Sequence, residues 1–342
     1  MKRNPQRLAA LASLALAATL GFSACGSDDD NGGGGGDGGS DAIVFLPKNL
    51  GNPYFDASTT GGERAADEFG GSIEEVGPDE PTAELQVPFI DTAAQQGVGA
   101  LVVSANDPSA LCDSLNQARD AGVKVVTFDS DVEADCRDLF VSQADAAGIA
   151  KAQVDLIAEQ IDGNGEVAIL SAAANATNQN EWIALMEEEL AANYPDIELV
   201  DTVYGDDDDQ KSFDQTEALL SQYPDLEGII SPTTVGISAA ARYLSESDAK
   251  GEVALTGLGT PNQMREYVEN GTVEAFALWN PEELGYLAAY TAHALASGEI
   301  EGDEGDTFEA GDLGEYTVGA DGVVLLGEPY VFDKSNINDF DF

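Results

Sequence analysis

The chain of 342 residues has one histidine and three cysteines, and 14 lysines and arginines against 64 aspartates and glutamates. Each scarcity excludes something. A Ser-His-Asp triad or a histidine-rich metal centre would have to use His293 alone, and that residue sits in an alanine- and tyrosine-rich helical pattern. It is read as structural. No Cys-x-x-Cys pair occurs, which argues against dithiol redox chemistry. A formal charge of −50 makes nucleic acid and anionic lipid poor partners, because both bind through cations. Carboxylates are so abundant that a pair of them identifies no acid–base site. The run at 206–209 is read as solvated acidic surface; a calcium loop is the sharper alternative, but the run lacks the alternating ligand spacing. Gly257-Leu258-Gly259 follows a strand as a dinucleotide turn does, yet Asn262 occupies the place of the third glycine. No catalytic residue, cofactor or metal is expected.

What is present begins with an N-terminal address. Lys2, Arg3 and Arg7 precede an apolar run over 8–22, so residues 1–24 are expected to be a secretory signal peptide. Ser23-Ala24-Cys25 resembles a lipobox, in which Cys25 becomes the lipidated first residue; Phe22 stands where an aliphatic residue is usual. Residues 25–41, rich in glycine and aspartate, are an expected flexible tether. Their five consecutive glycines lack the Lys-Ser/Thr of a phosphate loop. The expected product is an extracytoplasmic protein folded in water and anchored to the outer face of a membrane. Cys112 and Cys136 then remain as a pair in an oxidising compartment, and a disulfide between them is expected.

Beyond the tether, strand-like runs at 42–46, 73–76, 100–104, 123–128, 139–142, 167–170, 197–200, 226–231, 253–257 and 273–278 alternate with helical patterns such as 145–161, 180–192, 212–222 and 282–296. This alternation predicts βαβ units and parallel sheets. Ten strands exceed one ordinary sheet, so the fold class is α/β with two doubly wound domains. Asn52-Pro53, Asp107-Pro108, Thr260-Pro261 and Asn280-Pro281 each place a capping residue before a proline directly after a strand. In open α/β sheets that edge is where ligands bind.

The strand exits carry the candidate site. Lys48, Asn52, Tyr54 and Phe55 follow the first strand and combine a cation, an amide and two aromatic faces. Asp129 ends the run VVTF and could accept hydrogen bonds from sugar hydroxyls; a plain turn residue is the alternative. Asn178, Gln179 and Asn180 form a bank of amides at a helix start, which simple capping would also explain. Pro232 and Thr234 follow another strand. Trp279 and Asn280 follow the last, where an indole face suits a sugar ring or core packing.

KNLGNPYF, VSANDPSAL, VVTFDSD, ATNQNEW, ISPTTVG, LTGLGTP and ALWNPEELGY, in this order from about residue 42 to 342, resemble the solute-binding proteins of sugar ABC importers, and within them the rhamnose-binding and autoinducer-2-binding branch. The resemblance implies two Rossmann-like domains joined by three hinge strands. The crossings are expected near 142–143, near 279–280 and within 301–312, which gives a first domain of 42–142 and 280–308 and a second of 143–279 and 309–342. It also implies a monomer that closes on a small sugar and docks on a membrane permease served by an ATPase. Lys48, Asp129, Gln179 and Pro232 match the autoinducer-2 pattern, whereas Asn178 replaces an aspartate and Thr234 an alanine. Those two departures favour rhamnose or a related sugar. By analogy with ribose-type binders, Asn52, Tyr54, Phe55, Trp279 and Asn280 should also line the cleft. An autoinducer-2 receptor of the same fold, or a sensor module for a membrane kinase, is the alternative.

Overall fold

The computed structural model describes residues 42–342, so the expected signal peptide, the tether and Cys25 lie outside the described residues. The first part of the chain contains β1 (Ala42–Leu46), β2 (Ser72–Glu75), β3 (Ala100–Val103), β4 (Lys124–Phe128) and β5 (Leu139–Ala144), with α1 (Pro53–Phe69), α2 (Ala83–Gln96) and α3 (Cys112–Asp120) between them. There follow α4 (Ala146–Gln160), β6 (Gly165–Ser171), α5 (Thr177–Asn193), β7 (Ile197–Tyr204), α6 (Asp209–Gln222), β8 (Leu226–Ser231), α7 (Thr234–Glu246), β9 (Ala254–Gly257), α8 (Pro261–Glu269), β10 (Ala275–Leu278) and α9 (Pro281–Ser297). The tail adds β11 (Thr307–Glu309), β12 (Glu315–Thr317), β13 (Val323–Gly327) and β14 (Tyr330–Asp333).

Two Rossmann-like sheets result. The first runs β2-β1-β3-β4-β5-β13, parallel throughout. The second runs β7-β6-β8-β9, also parallel; a parallel bridge between Leu258 and Ala277 carries it on to β10, and β14 closes it antiparallel to β10. Strands such as β3, Ala-Leu-Val-Val, are buried on both faces, which is why they are continuous apolar runs rather than alternating ones. Both sheets reverse their order beside the first strand, at β1/β3 and at β6/β8. Those switch points open crevices at the strand C-termini. No described helix is long and apolar enough to cross a membrane.

Helix α9 follows the second sheet in sequence but packs on α1 and on β3, β4 and β5, so the chain crosses between lobes at Trp279-Asn280. The α1–α9 contact is backbone to backbone. A Cβ on Gly61 would lie 1.8 Å from the Glu282 carbonyl oxygen, and one on Gly285 would lie 1.8 Å from that of Ser58. Only glycine permits this approach.

The tail departs from expectation. The resemblance places residues 309–342 in the second domain, but β13 pairs with β5 of the first sheet, and only β14 joins the second. The third crossing therefore falls between Gly327 and Tyr330 rather than within 301–312. The Val323–Gly327 apolar run looks like any edge strand, and nothing local says which sheet it joins. Asp107-Pro108 also differs from the other three capping pairs. The Asp107 carboxylate accepts from the N–H groups of Ser109 and Ala110 and closes a turn; α3 begins later, at Cys112.

Cys112 and Cys136 are bonded, tying α3 to the turn before β5, with Cα atoms 5.0 Å apart. Peptide mapping of the unreduced protein should yield the two peptides linked. Free thiols would contradict the pairing. Replacing both by serine should lower unfolding free energy by about 3 kcal/mol on the chain-entropy model. Gly285→Ala should lower it by about 1–3 kcal/mol, since the α1–α9 backbones must part; unchanged denaturant midpoints would refute that.

Candidate functional site

A cavity lies between the two sheets at their C-terminal edges, with about 380 Å³ free of protein atoms, part of it open to solvent. Its lining includes Lys48, Asn52, Tyr54, Phe55, Asp129, Asn178, Gln179, Pro232, Thr234 and Trp279 from the expected set. Asn280 is not among them. Its side chain accepts from the N–H groups of Glu282 and Glu283 and is committed to capping α9. Asn52 caps too, accepting from the Tyr54 N–H at 3.1 Å, but it also faces the cavity.

Asp129 is the centre of the first-lobe wall. It leaves β4 at φ +59°, a left-handed conformation that aspartate tolerates better than most residues. Its Oδ1 accepts from the Tyr54 hydroxyl at 3.0 Å and its Oδ2 from the Ser104 hydroxyl at 2.7 Å. The Lys48 ammonium lies 3.8 Å from Oδ2. The Trp279 indole N–H donates to the Tyr54 hydroxyl at 2.9 Å. Burial first, and the Asp129 charge second, push the Tyr54 phenol well above its usual range, so it remains a donor.

The second lobe completes the set. Lys48 Nζ donates to Asn178 Oδ1 at 3.1 Å, and Asn178 Nδ2 donates to the Asp129 carbonyl at 3.3 Å. Gln179 Oε1 accepts from the Ser171 hydroxyl and the Ala172 N–H, both at 2.9 Å, which leaves its amide NH₂ free to donate. The Lys48 loop is held from behind by buried Gln86, whose Nε2 donates to the Pro47 and Ser104 carbonyls, and by Asn106, whose Nδ2 donates to the Lys48 carbonyl. The lobes touch across the cleft through Lys48–Asn178 and through Tyr54–Trp279.

Four features escape a reading of the sequence. Trp182 lines the cavity with its ring 5.9 Å from that of Trp279 at 61°; its spacing from Asn178 and Gln179 puts all three on one face of α5, a signal that was available. Leu258 and Leu278 add an apolar edge, and Thr233 adds a hydroxyl. The fourth is Asp207. The acidic run at 206–209 is neither uniform surface nor a calcium loop. Asp206 pairs with Lys211, Asp208 caps α6 by accepting from the Lys211 N–H, and Asp209 pairs with Arg242. Asp207 alone enters the cavity, where it accepts from the Thr233 hydroxyl. Burial raises its carboxyl above the usual range, against the opposing Thr233 hydrogen bond and the Lys48 charge.

The model of the periplasmic binding protein domain matches residues 43–300. The chain belongs to that family. Among solved structures, a sugar ABC transporter from Actinomyces odontolyticus is 53% identical, with 90% of this chain and 100% of that chain covered and a TM-score of 0.73. An ABC transporter solute binding protein from Clostridium phytofermentas, with bound L-rhamnose, is 38% identical over 88% of this chain and 98% of that one, at TM-score 0.85. LsrB from Clostridium saccharobutylicum, in complex with AI-2, is 27% identical over 88% of this chain and 100% of that one, at TM-score 0.84.

The raised Asp207 carboxyl has a consequence for stability. The native chain binds its proton more tightly than the unfolded chain does, so stability should fall as pH rises through the window above the ordinary value of 3.8. Asp207→Asn has no such proton to lose. In the absence of ligand it should melt higher than wild type, and its melting should depend less on pH above the ordinary carboxyl value of 3.8. Parallel melting curves in the two proteins would refute this.

Proposed function

We propose that this protein is the solute-binding subunit of a sugar ABC importer, extracytoplasmic and anchored through Cys25, and that it carries L-rhamnose or a related neutral sugar to a membrane permease. The observation that carries the reading is the cavity itself. It is bounded by both lobes and lined by aromatic faces and by polar groups of both hydrogen-bonding senses. Membership of the periplasmic binding protein family supports the transport role, and the 38% identity with an L-rhamnose-bound protein supports the sugar. Trp279 and Trp182 offer faces for the apolar side of a pyranose, and Gln179 offers an amide donor. Ligand bridging Asp129 in one lobe and Asn178 in the other would hold the hinge closed, which is the form a permease would recognise. We take the site to bind without turnover, in keeping with membership of the periplasmic binding protein family.

A second reading, an autoinducer-2 receptor, rests on Lys48, Asp129, Gln179 and Pro232 standing together around the cavity. Asn178 and Thr234 separate the two. An amide both donates and accepts, which suits a sugar hydroxyl, and it neutralises nothing; an aspartate there would add charge beside Asp129.

Calorimetry of the purified mature protein against L-rhamnose and autoinducer-2 tests the proposal. Wild type should bind L-rhamnose. Lys48→Ala and Asp129→Ala should each lose about 1–3 kcal/mol of binding free energy, roughly five- to 150-fold in affinity. Asn178→Asp combined with Thr234→Ala should weaken sugar binding by a similar amount and admit autoinducer-2. Tight autoinducer-2 binding by wild type, with no sugar bound, would reverse the ranking. Unchanged affinity in both alanine variants would remove the site.

A further inference from the structure

The β7–α6 turn is built to aim one carboxylate. Asp206 and Asp207 both take left-handed backbone conformations, φ +54° and +50°. Two consecutive non-glycine residues there are strained, and such strain persists only where the surroundings impose it. The turn is pinned to the exit of β6: Gly205 and Asp206 donate their N–H groups to the carbonyls of Ser171 and Ala172 at 2.8 and 3.1 Å. A Cβ on Gly205 would lie 2.0 Å from Ser212 Oγ, so the turn cannot relax outward with a larger residue. Its effect is to send Asp206 and Asp208 to solvent and Asp207 inward.

Once inside, Asp207 is under-used. Its one side-chain partner is the Thr233 hydroxyl on Oδ1. No lysine or arginine of the described residues lies within ion-pair distance, while Asp206 and Asp209 on either side both have one. Lys48, the nearest cation by its influence, is engaged by Asn178 and Asp129. An ionised carboxylate can accept about four hydrogen bonds, and this half-buried one has a single side-chain donor. Asp207 also borders a second, outer space at the cleft mouth, together with Asn49, Asp79, Glu80, Glu84 and Asp206. That rim joins residues of both lobes and is acidic on both sides.

We propose that Asp207 is a specificity-determining residue on the second-lobe wall: it accepts a hydroxyl of a neutral sugar and, with the acidic mouth, excludes sugars that carry a carboxylate or phosphate. The inference rests on the sugar-binding reading above and deepens it. Asp129 and Asp207 then face the ligand from opposite lobes, so a single pyranose donates to a carboxylate on each side of the hinge. One ammonium, Lys48, against two carboxylates leaves the closed cavity without a cation to receive an anionic substituent.

The test is calorimetry with L-rhamnose and D-galacturonate on wild type, Asp207→Asn and Asp209→Asn, with ligand-free melting of each. Wild type should bind L-rhamnose and not D-galacturonate. Asp207→Asn should lose about tenfold or more in L-rhamnose affinity while melting no lower than wild type, a combination that a merely structural role would not produce. Asp209→Asn removes a charge from the same acidic run, outside both the cavity and its rim, and should keep its affinity within about twofold. L-rhamnose binding unchanged in Asp207→Asn, or D-galacturonate bound by wild type as tightly as L-rhamnose, would overturn this inference and leave the sugar-binding reading standing. If wild type binds neither L-rhamnose nor autoinducer-2, the sugar-binding reading falls and this inference with it. Should Asp207→Asn fail to fold, the D-galacturonate comparison on wild type decides.

Discussion

The cleft depends on a single buried negative charge that is never left alone. Asp129 is 5% exposed, and a carboxylate taken that far from water is tolerated only when it is hydrogen-bonded and faced by a cation. Tyr54, Ser104 and Lys48 meet that requirement. Each of these is held in turn: Tyr54 by the Trp279 indole, Lys48 by Asn178, and the Lys48 loop by Gln86 and Asn106. Trp279 and Asn178 belong to the other lobe. The requirements of one carboxylate thus organise both walls, and the network is closed on every side but the cavity.

The architecture supplies the place for this network. Two parallel sheets with the same strand order reverse beside their first strands, and the C-terminal edges of both face one space. Lys48, Asp129, Asn178, Asp207, Pro232, Leu258 and Trp279 leave seven different strands, yet they converge because every one of those exits lies at that edge. The α1–α9 contact through Gly61 and Gly285 holds the helix that carries the crossing from Trp279, so the hinge and the site share a support.

The acidic composition serves different ends at different depths. Outside, aspartates pair with the few cations or cap helices, as Asp206, Asp208 and Asp209 do within a single run. Inside, two face the cavity, Asp129 buried and Asp207 half-buried. Asp129 has its compensation in the chain; Asp207 has one hydroxyl. Binding sites commonly carry such uncompensated groups at the expense of stability, and the ligand completes them.

Much of this was legible before any tertiary structure. Apolar runs ending in polar residues and proline located the strands, their exits and the α/β class, because side-chain period and capping are local properties. Ten of the residues that the resemblance assigns to the ligand site line one cavity. What local pattern could not decide was allegiance among equivalent choices. Asn280 and Asn52 are both capping residues at strand exits, and only the path of α9 against α1 turns one away from the cleft. Four consecutive aspartates are alike in sequence, and a strained turn pinned to β6 selects Asp207 from among them. The strand at 323–327 is not among the runs that the sequence pattern singles out, and its partner β5 lies nearly two hundred residues earlier. Pairing of that kind is set by which sheet edge remains open once the rest of the chain has packed, and only the tertiary structure contains that information.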